Sequence, residues 1–257
     1  MTNKIDRVYL IGAGGIGSIL IEPLAKLLTY HVNGTSDITL IDGDQFDSES
    51  KIKQVDVSLE NSGNNIIKGN ITRQLFDPKY VGVNKAEATC LRLGHMPSLK
   101  YVPDYISKDS FMSLLMEDNG MNFVNVVISA VDNEATRKEV IDGLEELGPN
   151  FNFIYINVGN SLDTAHCSVW AKINNQYKFT SPLVRYANLA NPSDTVPGRC
   201  SVLEASTPQL ISANASAALL VLTTIQNILD REPVFEEVNT FVRKLKTKPL
   251  GIPQVVL

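Results

Sequence analysis

The chain has 257 residues, of which 44% are apolar, enough to bury a large core, and the simplest count is one α/β domain over residues 1–257. A net charge of −5 argues against general binding to nucleic acid or to an anionic membrane surface, and no stretch is expected to approach the roughly 20 apolar residues of a membrane span. Three scattered cysteines, Cys90, Cys167 and Cys200, with no Cys-x-x-Cys pair and no apolar leader before Arg7, offer neither a disulfide framework nor a zinc site and point to a reducing cytoplasm.

Residues 8–11, Val-Tyr-Leu-Ile, are bulky and uncharged, as a strand buried on both faces of a parallel sheet requires. They run into Gly12-Ala13-Gly14-Gly15-Ile16-Gly17, and residues 16–28 then place Ile19, Leu20, Leu24, Leu27 and Leu28 at helical spacing. Strand, glycine loop and helix together make a phosphate site: bare backbone lets N–H groups approach, and the helix N-terminus adds about half a positive charge. The pattern alone serves nicotinamide dinucleotides, flavins and ATP alike. A second apolar run, residues 38–41, ends at Asp42-Gly43-Asp44 and completes a βαβ unit. An acid at that point accepts hydrogen bonds from ribose hydroxyls, which makes Asp42 the ribose candidate; a turn-forming role before Gly43 is compatible with it.

Residues 47–69 are rich in Ser, Asn, Lys and Asp without periodicity, and a long mobile insertion is expected there. Asn70, Arg73 and Gln74 follow, and Lys85 opens a helical segment with Ala86, Leu91 and Leu93. Two cations and two amides near one phosphate loop suit a triphosphate. Residues 99–102 read as a strand and 110–116 as a short helix. Residues 124–131 form a strongly apolar strand closing on Asp132-Asn133, and a helix from Glu134 through Val140, Ile141 and Leu144 stops at Gly148-Pro149. Asp132 thus stands at the carboxyl end of a central strand, where open α/β sheets bind ligands, and it also suits the cap of the next helix. Residues 153–158 and 167–173 are expected to pair as an antiparallel hairpin turning near Gly159-Asn160. Residues 176–206 read as a crossover or lid, 208–229 as a long helix, and 231–257 as a tail in which the cations of 243–248 are solvated.

In that order, Gly12-x-Gly14-Gly15-x-Gly17, Asp42-x-Asp44, Asn70-x-x-Arg73-Gln74, Lys85 and Ala130-Val131-Asp132-Asn133 resemble the ThiF/MoeB/E1 adenylyltransferase family, the activating enzymes of ubiquitin and of sulfur-carrier proteins. The resemblance implies an α/β fold, a Rossmann-like and mainly parallel sheet flanked by helices with an antiparallel extension in the second half. It implies an ATP site in which Gly12, Ala13, Gly14, Gly15, Ile16 and Gly17 underlie the phosphates, with Asp42 at the ribose and Asp44 among the nucleotide-binding residues. Asn70, Arg73, Gln74 and Lys85 would lie on the phosphates, and Asp132, beside Asn133, would hold Mg²⁺. The implied reaction joins the C-terminal carboxylate of a ubiquitin-like or sulfur-carrier protein, or of a peptide, to the α-phosphate, giving an acyl-adenylate and pyrophosphate. An anion approaching an anion needs fixed positive charge more than a base, hence Arg73, Lys85 and the Asp132 metal as catalytic groups. Cys200, beside Arg199, falls where several relatives carry an acceptor thiol; it equally suits a small apolar residue before a helix. A homodimer is implied as well.

The pattern departs from the family in places. About two dozen residues separate Asp44 from Asn70, where the family keeps the run close to the second acid, and a partial copy, Ser50-x-x-Lys53-Gln54, holds the closer spacing. The sequence holds no paired cysteines like those of the family's zinc site, and neither the family's helical extension ahead of Arg7 nor a large cysteine or ubiquitin-fold domain is expected. Two other readings stand beside adenylation: an NAD(P)-dependent oxidoreductase, which the glycine loop permits without a Tyr-x-x-x-Lys pair to support it, and a non-catalytic scaffold that keeps the fold.

Overall fold

The computed structural model describes residues 4–35, 37–47, 76–94, 96, 99–117, 123–192 and 211–257. Their centre is a nine-stranded sheet in the order β3-β2-β1-β4-β5-β6-β8-β9, with β7 on the other part of the β6 edge. β1 (Ile5–Ile11), β2 (Ile38–Ile41), β3 (Leu99–Val102), β4 (Val124–Ser129) and β5 (Asn152–Asn160) run parallel. β6 (Thr164–Ile173), β7 (Gln176–Lys178), β8 (Glu237–Phe241) and β9 (Lys246–Leu250) add antiparallel. The expected mainly parallel sheet with an antiparallel extension is therefore present.

Alternate residues of each strand feed two cores. On one face α1 (Gly17–Tyr30) and α7 (Ile211–Asp230) bury Leu20, Leu24, Leu28, Val221, Ile225 and Ile228 against Leu10, Ile128 and Val169. On the other, α3 (Lys108–Met116) and α4 (Glu134–Glu146) bury Phe111, Leu115, Val140 and Leu144 against Tyr9, Val127 and Trp170. α2 (Lys85–Arg92) joins the first core through Ala86, and the short helices α5 (Pro182–Arg185) and α6 (Ala187–Ala190) the second through Leu183 and Leu189.

Several expectations need correction. The hairpin turns at residues 161–163, because Gly159 and Asn160 stay paired with His166 and Ala165 and the Ser161 N–H closes the turn on the Thr164 carbonyl at 2.9 Å. α3 starts two residues early, where Ser107 and Ser110 form a capping box. Pro23 lies inside α1 and exposed to solvent, a helix-breaking residue that the packing of Leu20, Leu24 and Leu28 overrides. α7 does have the length and apolar content of a membrane span. Its stripe of Ala213, Ala217, Val221, Ile225 and Ile228 is nonetheless buried, and the helix packs on β5, β6 and α1. The stretch read as a solvated tail builds β8 and β9, and it puts Val234 and Val256 into the core. Part of the supposed lid, residues 176–190, is β7, α5 and α6. Most of the expected insertion (residues 48–69) and the rest of the lid from residue 193 lie outside the described residues.

Candidate functional site: a crevice at the carboxyl ends of β1, β2 and β4

The strand order reverses direction between β1 and β4, and the loops leaving those strands border the crevice where open α/β sheets take ligands. The glycine loop lines it, and its conformation leaves little choice of residue. Gly12 has φ +101°, and a Cβ there would sit 2.7 Å from the Ala130 carbonyl oxygen; a Cβ on Gly17 would sit 1.8 Å from the oxygen of Gly12. On the helix side the amide of Asn214 in α7 covers Gly15, with Nδ2 2.6 Å from where a Cβ would be, and Asn160 holds that amide by a 2.9 Å bond to its Oδ1. Two neighbouring loops and α7 thus clamp the start of α1, whose leading N–H groups have no partner within the helix.

Asp42 leaves the end of β2 and ties the second loop to the first. Its Oδ2 accepts the Ala13 N–H at 2.6 Å and its Oδ1 the Asp44 N–H at 2.8 Å. Burial raises the pKa of this carboxyl, the Lys85 ammonium opposes the shift, and the Asp44 charge adds to it. Asn84 completes the turn: its Nδ2 donates to the Asp42 carbonyl at 2.7 Å, while its Oδ1 caps α2 by accepting the Ala86 and Glu87 N–H groups. Lys85, only 4% exposed as the first residue of α2, extends its Nζ to Asp44 Oδ2 at 2.7 Å. The Tyr105 hydroxyl donates to the other Asp44 oxygen at 2.7 Å, and the ring lies so close over Gly43 that a Cβ there would be 2.5 Å from it. Burial, followed by this bond to Asp44, raises the Tyr105 pKa.

The structure therefore brings Gly12, Ala13, Gly14, Gly15, Ile16, Gly17, Asp42, Asp44 and Lys85 to one crevice. Asp132 stands exposed on the loop after β4, and that loop touches the glycine loop through Ala130 and Val131. The cap of α4 is Asn133, whose Oδ1 accepts the Thr136 N–H at 2.9 Å; Asp132 does not fill that role. Asn70, Arg73, Gln74 and Cys200 lie outside the described residues.

The sequence matches no family model and no curated protein. Solved structures do match. MccB of E. coli, solved with AMPCPP and MccA, superposes with a TM-score of 0.57 at 20% identity over 96% of this chain and 64% of its own. PaaA gives 0.55 at 16% identity over 98% and 65%. The E. coli tRNA N6-threonylcarbamoyladenosine dehydratase TcdA, solved with AMP, gives 0.50 at 16% identity over 89% and 87%. The chain spans just under two thirds of the length of MccB and of PaaA. It shares the fold of these proteins, the ThiF/E1-like fold that its motifs resemble.

Within this ThiF/E1-like fold, four residues that sequence reasoning missed shape the crevice: Asn84, Tyr105, Arg137 and Asn214. Asn84 was readable, since Asn directly before an apolar-periodic segment is an N-cap signal. Tyr105 and Asn214 act across long separations, and Arg137 ties the loop just before its own helix to β5. Arg137, buried in α4, donates from Nη1 to the Ser129 carbonyl at 3.2 Å and to Asn157 Oδ1, and from Nη2 to the carbonyls of Val131 and, at 2.8 Å, Val158. It thereby fixes the loop that carries Asp132. Its charge and that of Arg185, after burial, hold the His166 pKa down at about 4. Burial pushes the thiols of Cys90 and Cys167 up to about 11 and about 12, which disfavours the nucleophilic thiolate. Among the described residues no group of three or more His, Cys, Asp or Glu gathers to hold a metal.

Proposed function

We propose that the chain is an ATP-dependent adenylyltransferase that activates the C-terminal carboxylate of a small ubiquitin-like or sulfur-carrier protein, or of a peptide. The observation that carries this reading is the Asp42 carboxylate. Each of its oxygens accepts one backbone N–H, which leaves a lone pair on each for a ribose diol and locks the acid to the phosphate loop. Lys85 enters the same crevice from the opposite loop, paired with Asp44. That MccB was solved with ATP, and TcdA with AMP, supports a nucleotide in the corresponding place.

In this reading the glycine-loop N–H groups hold a phosphate at the start of α1, Asp42 orients the ribose, and Lys85 with Arg73 neutralises the triphosphate. A carboxylate oxygen of the acceptor then bonds to the α-phosphorus as the bond to pyrophosphate breaks, and the cations offset the approach of two anions. Mg²⁺ fits the donor set, because it is commonly held by one or two carboxylates with phosphate and water oxygens, and Asp132 is an exposed carboxylate on the loop beside Gly12. Bound there, it would supply further neutralisation of the phosphate oxygens. A homodimer in a reducing cytoplasm belongs to the same proposal.

The test is acceptor-dependent exchange of radiolabelled pyrophosphate into ATP, screened against candidate carrier proteins and peptides. Lys85→Ala and Asp132→Ala are expected to lower exchange by about a hundredfold or more. Exchange that survives both substitutions removes the roles given to Lys85 and Asp132; no exchange with any acceptor removes adenylation, and NADH binding in place of ATP binding would replace it with the oxidoreductase.

A further inference from the structure

The last two strands carry features that the crevice does not use. Residues 243–248 hold Arg243, Lys244, Lys246 and Lys248 and no acid, in a chain whose net charge is −5. They sit at the tip and outer strand of the β8–β9 hairpin, and every residue of β9 is exposed. Leu245, at the turn, is 93% exposed and takes the left-handed backbone, φ 48° and ψ 42°, where glycine or asparagine is at ease. Neither burial nor turn geometry asks for a leucine there.

The outer edge itself is poorly made for pairing with another strand. Pro249, opposite Val238, has no N–H to give, and Lys246 and Lys248 precede it, which is how natural sheets block edge-to-edge growth. The face of the hairpin is different. Thr240 and Thr247 meet on one side, hydroxyls 3.1 Å apart, so Lys246 and Lys248 project from the other side with Phe241 and Asn239. That side continues inward along a single register line: Lys248 opposite Asn239, Asn239 opposite His166, His166 opposite Gly159. The His166 ring fills the space over Gly159, its Cε1 2.8 Å from where a Cβ would be, with Arg137 Nη2 at 3.6 Å, and Arg137 braces the Asp132 loop.

We propose that the β8–β9 hairpin is the docking surface for an acidic segment of the acceptor protein or peptide, with an apolar residue against Leu245 and carboxylates on Lys246 and Lys248. Three strand spacings of about 4.8 Å separate β9 from β5, so an extended chain of about five residues reaches from the lysines to the edge of the crevice. The acidic segment accordingly lies about five residues or more before the reacting carboxylate. The docking rests on the hairpin alone; the direction of the track rests on the adenylation reading above. An acidic partner is repelled by the net negative charge of this chain and drawn to this basic projection, which favours encounter in the right orientation.

The experiment uses the full chain and a fluorescent peptide of about twelve residues with a free C-terminal carboxylate, three glutamates and a leucine in its first half. Anisotropy at low salt is expected to show binding about tenfold tighter than for the same peptide with glutamines, and to weaken as salt rises. The double variant Lys246→Glu/Lys248→Glu is expected to abolish that preference while melting like the parent, and Leu245→Ala to weaken binding of both peptides. Equal binding of the two peptides, an unaltered preference in the double variant, or binding to phosphatidylserine vesicles with none to the peptide would each overturn the docking site. The two readings separate cleanly. Acidic-peptide binding without any pyrophosphate exchange leaves the docking site and removes adenylation. Exchange with a carrier protein that the lysine substitutions do not change leaves adenylation and removes the docking site.

Discussion

At the scale of single residues, the crevice depends on positions where one atom decides. Gly12 and Gly82 both have positive φ, +101° and +81°, yet a Cβ on Gly12 would meet the Ala130 carbonyl at 2.7 Å, whereas one on Gly82 would meet nothing within 4 Å. Gly12→Ala should therefore cost about 3 kcal/mol or more, and Gly82→Ala about 1 kcal/mol of backbone strain alone, a contrast that paired urea titrations would show. His166 makes a second prediction. Its pKa is held at about 4 in the folded chain against an ordinary 6.5, so between those values the unfolded chain binds the proton and the folded one does not. Stability from this group is present in full above pH 6.5 and is lost as pH falls toward 4. His166→Gln should flatten that limb of the stability curve while leaving the rest of the acid transition in place. The acids and cations of the site were legible as residue types at the ends of apolar runs. Their partners were not: nothing near Tyr105 in sequence announces that its hydroxyl reaches Asp44, 61 positions away.

At the scale of elements, the packed stripe outweighs local preference. α1 keeps Pro23 in its interior because Leu20, Leu24 and Leu28 bury one face completely, while Pro23 itself faces solvent and leaves the Ile19 carbonyl without its usual N–H donor. Pro23→Ala should restore that bond and raise stability by about 1–3 kcal/mol, read as an upward shift of the thermal midpoint. A variant that melts at or below the parent temperature would mean that the proline relieves a strain elsewhere in the helix. Boundaries tell the same story. The strand after Pro149 and the next one both run further than their apolar cores, because cross-strand pairing of Gly159 with His166 carries the ladder past residues that look like a turn.

At the scale of the whole molecule, the closing strands are structural members of the sheet. β8 covers the free edge of β6, Val234 and Val256 enter the main core, Tyr186 donates to Glu237, and Arg185 approaches both Glu236 and Glu237. Deleting residues 231–257 should therefore lower the thermal midpoint by about 10 °C or more and promote association through the bared edge. Differential scanning calorimetry with light scattering would show both; a truncated chain that melts like the parent would return these residues to the status of a tail. The adenylation proposal belongs to this scale too, since it needs loops from β1, β2 and β4 to converge, and only the strand order brings them together.

What the sequence determined by itself was everything with a local cause: the buried parallel strands, written as uncharged β-branched and aromatic runs; the glycine loop, written by its demand for bare backbone; the acids at strand ends; and the helices, written in their apolar spacing. Tertiary structure alone decided which distant groups answer them, placing Lys85 and Tyr105 on Asp44 and Asn214 over Gly15. It also turned a lysine-rich ending into two strands. The physical reason is that a strand's register and a buried cation's partner are set by neighbours far along the chain, whose effect leaves no periodicity in the segment it shapes.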